Sequence, residues 1–389
     1  MSTTAILTCN AGSHSLKCAL FDAQNLKLLY RFDADRVHDS PTHLIKNRDG
    51  DAVSYCDKQP EGYEAALHYL FAWLKEHEPE LTIEAAGHRI VHGGKRFTQA
   101  VRIDAEVKQQ LEALIPLAPL HQSHNLALVE AVAKLYPDVM QVACFDTAFH
   151  RTQPWLAQHY ALPHALAEKE AILRYGFHGL SYEYIASQLP KIAGDKANGR
   201  IVACHLGGGA SMCAMQHRQS LATSMGFTAL DGLMMATRCG DLDAGVILYL
   251  LQEKQMSPKQ IESLLYKESG VLGVSGISSD MRHLHKSDDP RARQAIELFC
   301  YMAAKQLGAL VMALGGLDAL VFTGAMGCGD AAIRARICGY AKWLGLSIDE
   351  NANAAHRTRI SSTDSAIDAY VITADEELMI AQQTHELML

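Results

Sequence analysis

Apolar and β-branched residues near the start of the chain fall in two short runs. Ile6-Leu7-Thr8-Cys9 breaks at the polar turn Asn10-Ala11-Gly12-Ser13-His14-Ser15 and resumes, with partial alternation, as Leu16-Lys17-Cys18-Ala19-Leu20. Two such runs around a Gly- and Ser-bearing turn predict a β-hairpin. The pattern returns without a gap at Ile201 to Met215, half the chain later. Ile6, Cys9, Gly12, Cys18 and Ala19 recur as Ile201, Cys204, Gly207, Cys213 and Ala214. Helical spacing follows in each half, at Gly62 to Lys75 and at Arg291 to Leu307. With 389 residues, enough for two domains of roughly 150 each, the repeat predicts a duplicated α/β unit.

A glycine turn lets backbone amides approach an anion closely. One such turn is an ordinary tight hairpin. The pair, with Asn10, Ser13 and Ser15 at one turn and His205 and Ser211 at the other, predicts a phosphate chain held from both sides of an interdomain cleft. Familiar alternatives are missing: the chain has no Walker-type loop, no dinucleotide fingerprint and no Gly-x-Ser-x-Gly elbow. His88 and His92 flank a strand-like stretch and lack the Glu of a zinc protease helix.

Composition narrows the partners. Hydrophobic residues make up 49% of the chain and charged residues 20%, so a packed core is expected. Lys and Arg number 35 against 43 Asp and Glu, a formal charge of −8, which argues against nucleic acid as a partner. The first residues lack a basic start and a long apolar core, and the longest apolar run, Leu307 to Leu317, is about half a bilayer span. Ten cysteines without a CxxC pair, most of them in apolar runs, read as buried and reduced. A cytoplasmic protein with no membrane partner is expected.

Five polar clusters interrupt the apolar runs: Gly87 to Gly94, Phe145 to His150, Tyr175 to Gly179, His205 to Ser211, and Thr237 to Asp243. Charges at strand ends beside glycines are costly unless paired, and each cluster alone could be a satisfied ion pair. Together they suit phosphoryl transfer between anions. Arg89, Arg238, His178 and His205 can neutralise a carboxylate and a moving phosphoryl group, and Asp146 can position an acceptor or an arginine. Glu376 and Asn10 can hold Mg²⁺ directly or through water, with Mn²⁺ an alternative. A carboxylate nucleophile is already ionised at neutral pH, so alignment and charge stabilisation suffice.

These residues resemble the acetate kinase family, the acetate and propionate kinases of the sugar kinase/Hsp70/actin superfamily. The resemblance rests on Asn10-Ala11-Gly12-Ser13-x-Ser15-Leu16-Lys17, His88-Arg89-x-Val91-His92-Gly93-Gly94, Ala118-Pro119-Leu120-His121 and Phe145-Asp146-Thr147-Ala148-Phe149-His150. It continues through Arg174 to Gly179, His205-Leu206-Gly207-x-Gly209-Ala210-Ser211, Thr223 to Thr228, Thr237-Arg238-x-Gly240-Asp241, Gly276 to Arg282 and Glu376-Glu377-Leu378. It implies two duplicated RNase H-like domains of actin/Hsp70/sugar kinase type with a catalytic interdomain cleft. The N-terminal domain would span 1–147, with a C-terminal helix 376–389 returning to it; a nucleotide-binding domain would span 148–375. Family members are homodimers that phosphorylate a small carboxylate reversibly with ATP.

Residue by residue, the resemblance implies catalytic roles for Asp146, Arg89, Arg238 and His178, the last two stabilising the transition state. Arg89, Val91, Leu120, Phe177 and Ala229 would bind the acid. Lys17, His205, Gly207, Gly208, Gly209, Asp280, Met281 and Arg282 would meet the nucleotide, as would Gly324, Ala325, Met326, Gly327 and Cys328. Asn10 and Glu376 would hold the metal. The family's Gly-Ile-Gly-Glu-Asn loop reads here Ala325-Met326-Gly327-Cys328-Gly329, and an Asn has become Gly208. Leu180 and Tyr182 replace Thr and His, Ala229 replaces a proline, and Cys239 replaces a serine. The acceptor side is nearly intact and the donor side is altered. Weaker ATP binding, use of another donor such as pyrophosphate, or a catalytically weak nucleotide-binding paralogue are the alternatives this leaves.

Overall fold

The computed structural model describes residues 3–12, 15–57 and 59–389, except for the side chain of Leu120. The chain divides into two compact units, Met1–Phe149 with Asp375–Leu389, and His150–Ala374. The first unit holds β1 (Thr3–Ala11), β2 (Ser15–Asp22), β3 (Leu28–Asp35), β4 (Thr42–Asn47), β5 (Ala52–Cys56), β6 (Leu81–Ile90), β7 (Val101–Arg102) and β8 (Met140–Phe145). They form one sheet in the order β5-β4-β3-β2-β1-β6-β8-β7. The second unit holds β9 (Ile201–Leu206), β10 (Ala210–Gln216), β11 (Gln219–Thr223), β12 (Ala319–Thr323) and β13 (Asp368–Val371), ordered β11-β10-β9-β12-β13.

The duplication expected from the repeat is present. The order β3-β2-β1-β6-β8 matches β11-β10-β9-β12-β13 in sequence and in direction: antiparallel pairs on one side, parallel pairs on the other. The aligned segments are the hairpins β1–β2 and β9–β10. Strands covered on both faces carry continuous apolar runs, and β12 is buried at every position.

Helices cover these faces. Tyr63–His77, near the expected limits, buries Tyr63, Ala66, Leu67, Leu70, Phe71 and Leu74 at helical spacing. They pack with Leu7, Cys9, Leu16, Cys18 and Phe32 into one core. Pro290–Leu314 runs further than expected because Asp289 caps its start and Gly315, in the left-handed region, ends it. By length and composition this helix could cross a bilayer, but its buried side packs on β9, β10 and β11 as a core helix does. All ten cysteines are among the described residues and none is disulfide-bonded; Cys9, Cys18, Cys144, Cys204 and Cys213 are buried, as expected.

The final helix, Glu376–Met388, returns to the first sheet and packs on β1, β2, β6 and β8. It contacts the face opposite the main core, where Ala381 meets Ile6, Ala19 and Phe21. Gly87 on β6 permits that approach: a Cβ there would lie 2.6 Å from Ile380 Cγ2 and overlap Thr384. Gly87→Val should therefore destabilise the protein by about 1–3 kcal/mol through overpacking. A fall in Tm on thermal denaturation checks this, and an unchanged Tm contradicts the packing account.

Candidate active site

Three parallel strands, β1, β6 and β8, end at one edge of the first sheet, where open α/β sheets commonly bind ligands. Their ends carry Asn10, Arg89 and Asp146. Arg89 Nε donates to both Asp146 carboxylate oxygens at 3.1 Å, and Nη2 donates to Oδ2 at 2.6 Å. Nη1 donates to Asn10 Oδ1 at 3.0 Å. Asp146 is buried and Arg89 half-buried. Burial opposes the guanidinium charge, but the Asp146 and Glu376 carboxylates outweigh it and hold the proton more firmly. Glu376, first residue of the final helix, is shifted up by burial and by Asp146, while Arg89 and Lys17 pull it down. Lys17 is exposed and lies opposite Asn10 across the hairpin. The first unit thus brings Asn10, Lys17, Arg89, Asp146 and Glu376 together.

Two buried amides set this edge, and the sequence did not single them out. Asn125 Oδ1 accepts the Val91 amide at 3.0 Å, and its Nδ2 donates to the Ala11 carbonyl at 3.3 Å. Gln122 exchanges hydrogen bonds with the His92 backbone in both directions. Three residues apart on helix Pro119–Leu135, they share a face. Val91 is buried beside them. Ser13 and the side chain of Leu120 lie outside the described residues.

The second unit assembles a different set. His178 is left-handed, with φ 58°, and precedes helix Gly179–Ala193. Its ring stacks on His205 with centroids 4.2 Å apart. Ser211 Oγ lies 2.8 Å from His178 Nδ1, and Ser181 Oγ lies 2.8 Å from His205 Nδ1. The other nitrogens face the Gly207–Gly209 turn. A Cβ on Gly209 would lie 3.3 Å from His178 Nε2 and 3.8 Å from Arg238 Nη1; one on Gly207 would lie 3.7 Å from His205 Nε2. Arg238 Nη1 also donates to the Ala229 carbonyl at 3.0 Å. His178, His205, Gly207, Gly209, Arg238 and Ala229 therefore converge, with Gly208 between the two flanking glycines and buried Phe177 preceding His178.

One expectation needs correction. The Gly12 amide bonds to the Ser15 carbonyl at 2.8 Å, and the Gly207 amide to the Gly209 carbonyl at 2.9 Å. Both close their hairpins, so these two amides are already committed. What the turns offer at these positions is close approach without a side chain.

Gly324, Ala325, Met326, Gly327 and Cys328 lie on the short helix Gly324–Gly329. Ala325, Cys328 and Gly329 line a pocket of about 530 Å³ together with Ile192, His356, Thr358 and the strand end Val371-Ile372-Thr373. The fully buried Arg334 donates to the carbonyls of Gly327, Cys328 and Asn353 and to the side chains of Asn353 and His356. Asp280 caps helix Met281–His285 and pairs with Arg282, which draws its carboxyl down to about 2. His285 Nε2 lies 2.8 Å from Asp330, just past the Gly324–Gly329 helix.

The Acetokinase family model matches residues 5–382. The chain belongs to the acetokinase family. It is 51% identical to the acetate kinase of Rhodopseudomonas palustris strain TIE-1 over 98% of each chain. It is 44% identical to that of Nitrobacter hamburgensis, over 99% of this chain and 96% of the other. Among solved structures it resembles Porphyromonas gingivalis acetate kinase, at 35% identity and TM-score 0.89, covering 99% and 100%. It likewise resembles a propionate kinase from Francisella tularensis, at 35% identity and TM-score 0.91, covering 98% and 99%.

His150 ties the segment before His178 to the second sheet in this acetokinase-family chain. Its Nδ1 lies 2.9 Å from Ser220 Oγ and its Nε2 lies 2.9 Å from the Phe177 carbonyl, next to His178. Burial lowers its pKa to about 4, with Arg151 adding and the Phe177 carbonyl opposing. The unfolded imidazole titrates near 6.5, so between these values only the unfolded chain takes up the proton. The stability from a neutral His150 is present above 6.5 and is lost as pH falls towards 4. His150→Phe should cost about 1–3 kcal/mol at pH 7.5 through orphaned polar groups. It should also flatten the dependence of stability on pH between 6.5 and 4.5; denaturant titrations with the parent's slope in the variant would contradict this.

Proposed function

We propose that the chain is a short-chain carboxylate kinase that transfers the γ-phosphoryl group of ATP reversibly to acetate or propionate, giving acyl phosphate and ADP. The observation that carries this reading, in a chain of the acetokinase family, is the Arg89 guanidinium fixed by Asp146 and Asn10 at the strand edge. The acid's ionised oxygen attacks the γ-phosphorus. One oxygen–phosphorus bond forms, the bond to the ADP oxygen breaks, and no proton need be removed. Arg89 and Arg238 hold the carboxylate and the phosphoryl group, and His178 donates to its oxygens as charge redistributes. Asp146 acts by holding Arg89 in the attack geometry.

Asn10 and Glu376 fit Mg²⁺, or Mn²⁺, as an oxygen-only donor pair. Magnesium usually keeps waters and takes one or two carboxylates plus substrate phosphates. Among the described residues no group of three or more His, Cys, Asp or Glu could hold a metal ion. Bound by Asn10 and Glu376, the ion would neutralise phosphate charge. Lys17, His205 and Gly207-Gly208-Gly209 would line the phosphates, with Asp280-Met281-Arg282 and Gly324 to Cys328 around the nucleoside. The 530 Å³ pocket has the size of a small-ligand site. At its wall the Cys328 thiol accepts from Thr373 Oγ1 at 3.6 Å, where the family pattern has a carboxylate. That substitution favours a second reading, in which pyrophosphate is the donor.

By the family resemblance Val91, Leu120, Phe177 and Ala229 would bind the acid, and the alanine at 229 is smaller than the proline of the family pattern. The extra CH₂ of propionate is worth about 0.8 kcal/mol there, or roughly fourfold. We also infer a cytoplasmic homodimer. Helix Ala244–Gln252 buries none of its apolar residues, and Leu248 and Tyr249 are 53% and 49% exposed, a surface suited to a second copy.

A hydroxamate assay for acyl phosphate, with ATP and pyrophosphate against acetate and propionate, tests the reading. ATP should support both acids, with propionate equal or preferred in kcat/KM, and Ala229→Pro should lower the propionate-to-acetate ratio. Product from pyrophosphate alone would overturn the donor, and no product from any pair would overturn the kinase reading. A ratio that does not fall would overturn the pocket assignment.

A further inference from the structure

The mechanism above uses His178 Nε2 and leaves the groups behind that ring without a role. Ser211 on β10 is fully buried and lies opposite His205 on β9. Its Oγ is 2.8 Å from His178 Nδ1 and 2.5 Å from the phenol oxygen of Tyr182. Tyr182 is also buried, one turn along the helix that His178 precedes.

We propose that Ser211, backed by Tyr182, is a positioning residue that makes His178 Nδ1 an acceptor and so fixes the imidazole as the Nε2–H tautomer facing the Gly207–Gly209 turn. The inference rests on the kinase reading for its consequence, but not for its geometry. Protons in this buried chain must run in one direction. The Tyr182 oxygen accepts the His205 backbone N–H, and burial keeps its own proton in place well above the ordinary range. The phenol therefore donates to Ser211. A serine hydroxyl has one hydrogen, which then goes to Nδ1. The nitrogen beside Gly209 carries the remaining ring proton, because the partner of one imidazole nitrogen sets the state of the other.

The consequence is chemical. An Nε2–H donates to a phosphoryl oxygen, whereas an Nε2 lone pair would repel it. The departure at Tyr182 noted in the sequence thus leaves a donor in place behind the ring.

The test uses the full chain labelled with ¹⁵N-histidine, the His178 signals being assigned by their loss in His178→Gln. In the free protein His178 should show a protonated Nε2 and an unprotonated, hydrogen-bonded Nδ1. Ser211→Ala should mix the two tautomers and lower kcat by roughly tenfold, the usual scale for losing such a supporting partner. KM for ATP and acetate should change by less than about twofold, since the lost interaction belongs to the transition state. Ser211→Thr, which keeps the hydroxyl, should restore both spectrum and rate. If Ser211→Ala does not fold, Tyr182→Phe gives the same readout by removing the donor to Ser211. A protonated Nδ1 in the parent protein overturns the proposal, as does a tautomer unchanged in these variants. The spectrum needs no substrate, so failure to form acyl phosphate would count against the kinase reading while the tautomer is still decided.

Discussion

A guanidinium at the end of a buried strand persists only if fixed acceptors replace the water it loses. Arg89 meets that constraint with the carboxylate of Asp146 and the amide of Asn10. Breaking such a pair typically costs about 3–5 kcal/mol, because the surviving charge stays buried without compensation. Much of the first unit can be read as support for it. Parallel pairing brings the ends of β1, β6 and β8 to one edge, Asn125 ties Val91 to Ala11, and the final helix delivers Glu376.

The second unit meets a milder constraint by other means. Its arginine, Arg238, is tied to a backbone carbonyl, and its two histidines are stacked and held from behind by serine hydroxyls. Glycines at 207 and 209 let the backbone pass close to those rings without a side chain. A fixed charge clamp in one unit, and an arginine with two oriented imidazoles in the other, suit a reaction whose nucleophile is already ionised. Such a reaction needs alignment and charge balance more than a strong base.

The repeated hairpin was legible because strand, turn and strand leave a simple record of apolar runs broken by glycine. The polar clusters were legible because Arg, His and Asp are rarely placed at buried strand ends without a purpose. Asn125, Gln122 and Arg334 escaped notice for the opposite reason. A polar residue on a helix ordinarily faces water, and only tertiary packing shows that these three satisfy backbone groups inside the protein. Tyr182 stood out only as a departure from a family pattern, since its partner Ser211 lies 29 residues away. Turn amides look free in a sequence, yet hairpin closure uses those of Gly12 and Gly207.

The central claim, that Arg89 and Asp146 act as one device, is tested most directly by a double-mutant cycle read in kcat. Arg89→Ala should lower kcat by roughly 10²–10³, the scale for losing a preorganised charge donor, and Asp146→Ala should act similarly. The double variant should be little worse than either single one, because residues acting as a unit are not additive. Effects that multiply in the double variant, or a single variant with the parent kcat, would contradict the account.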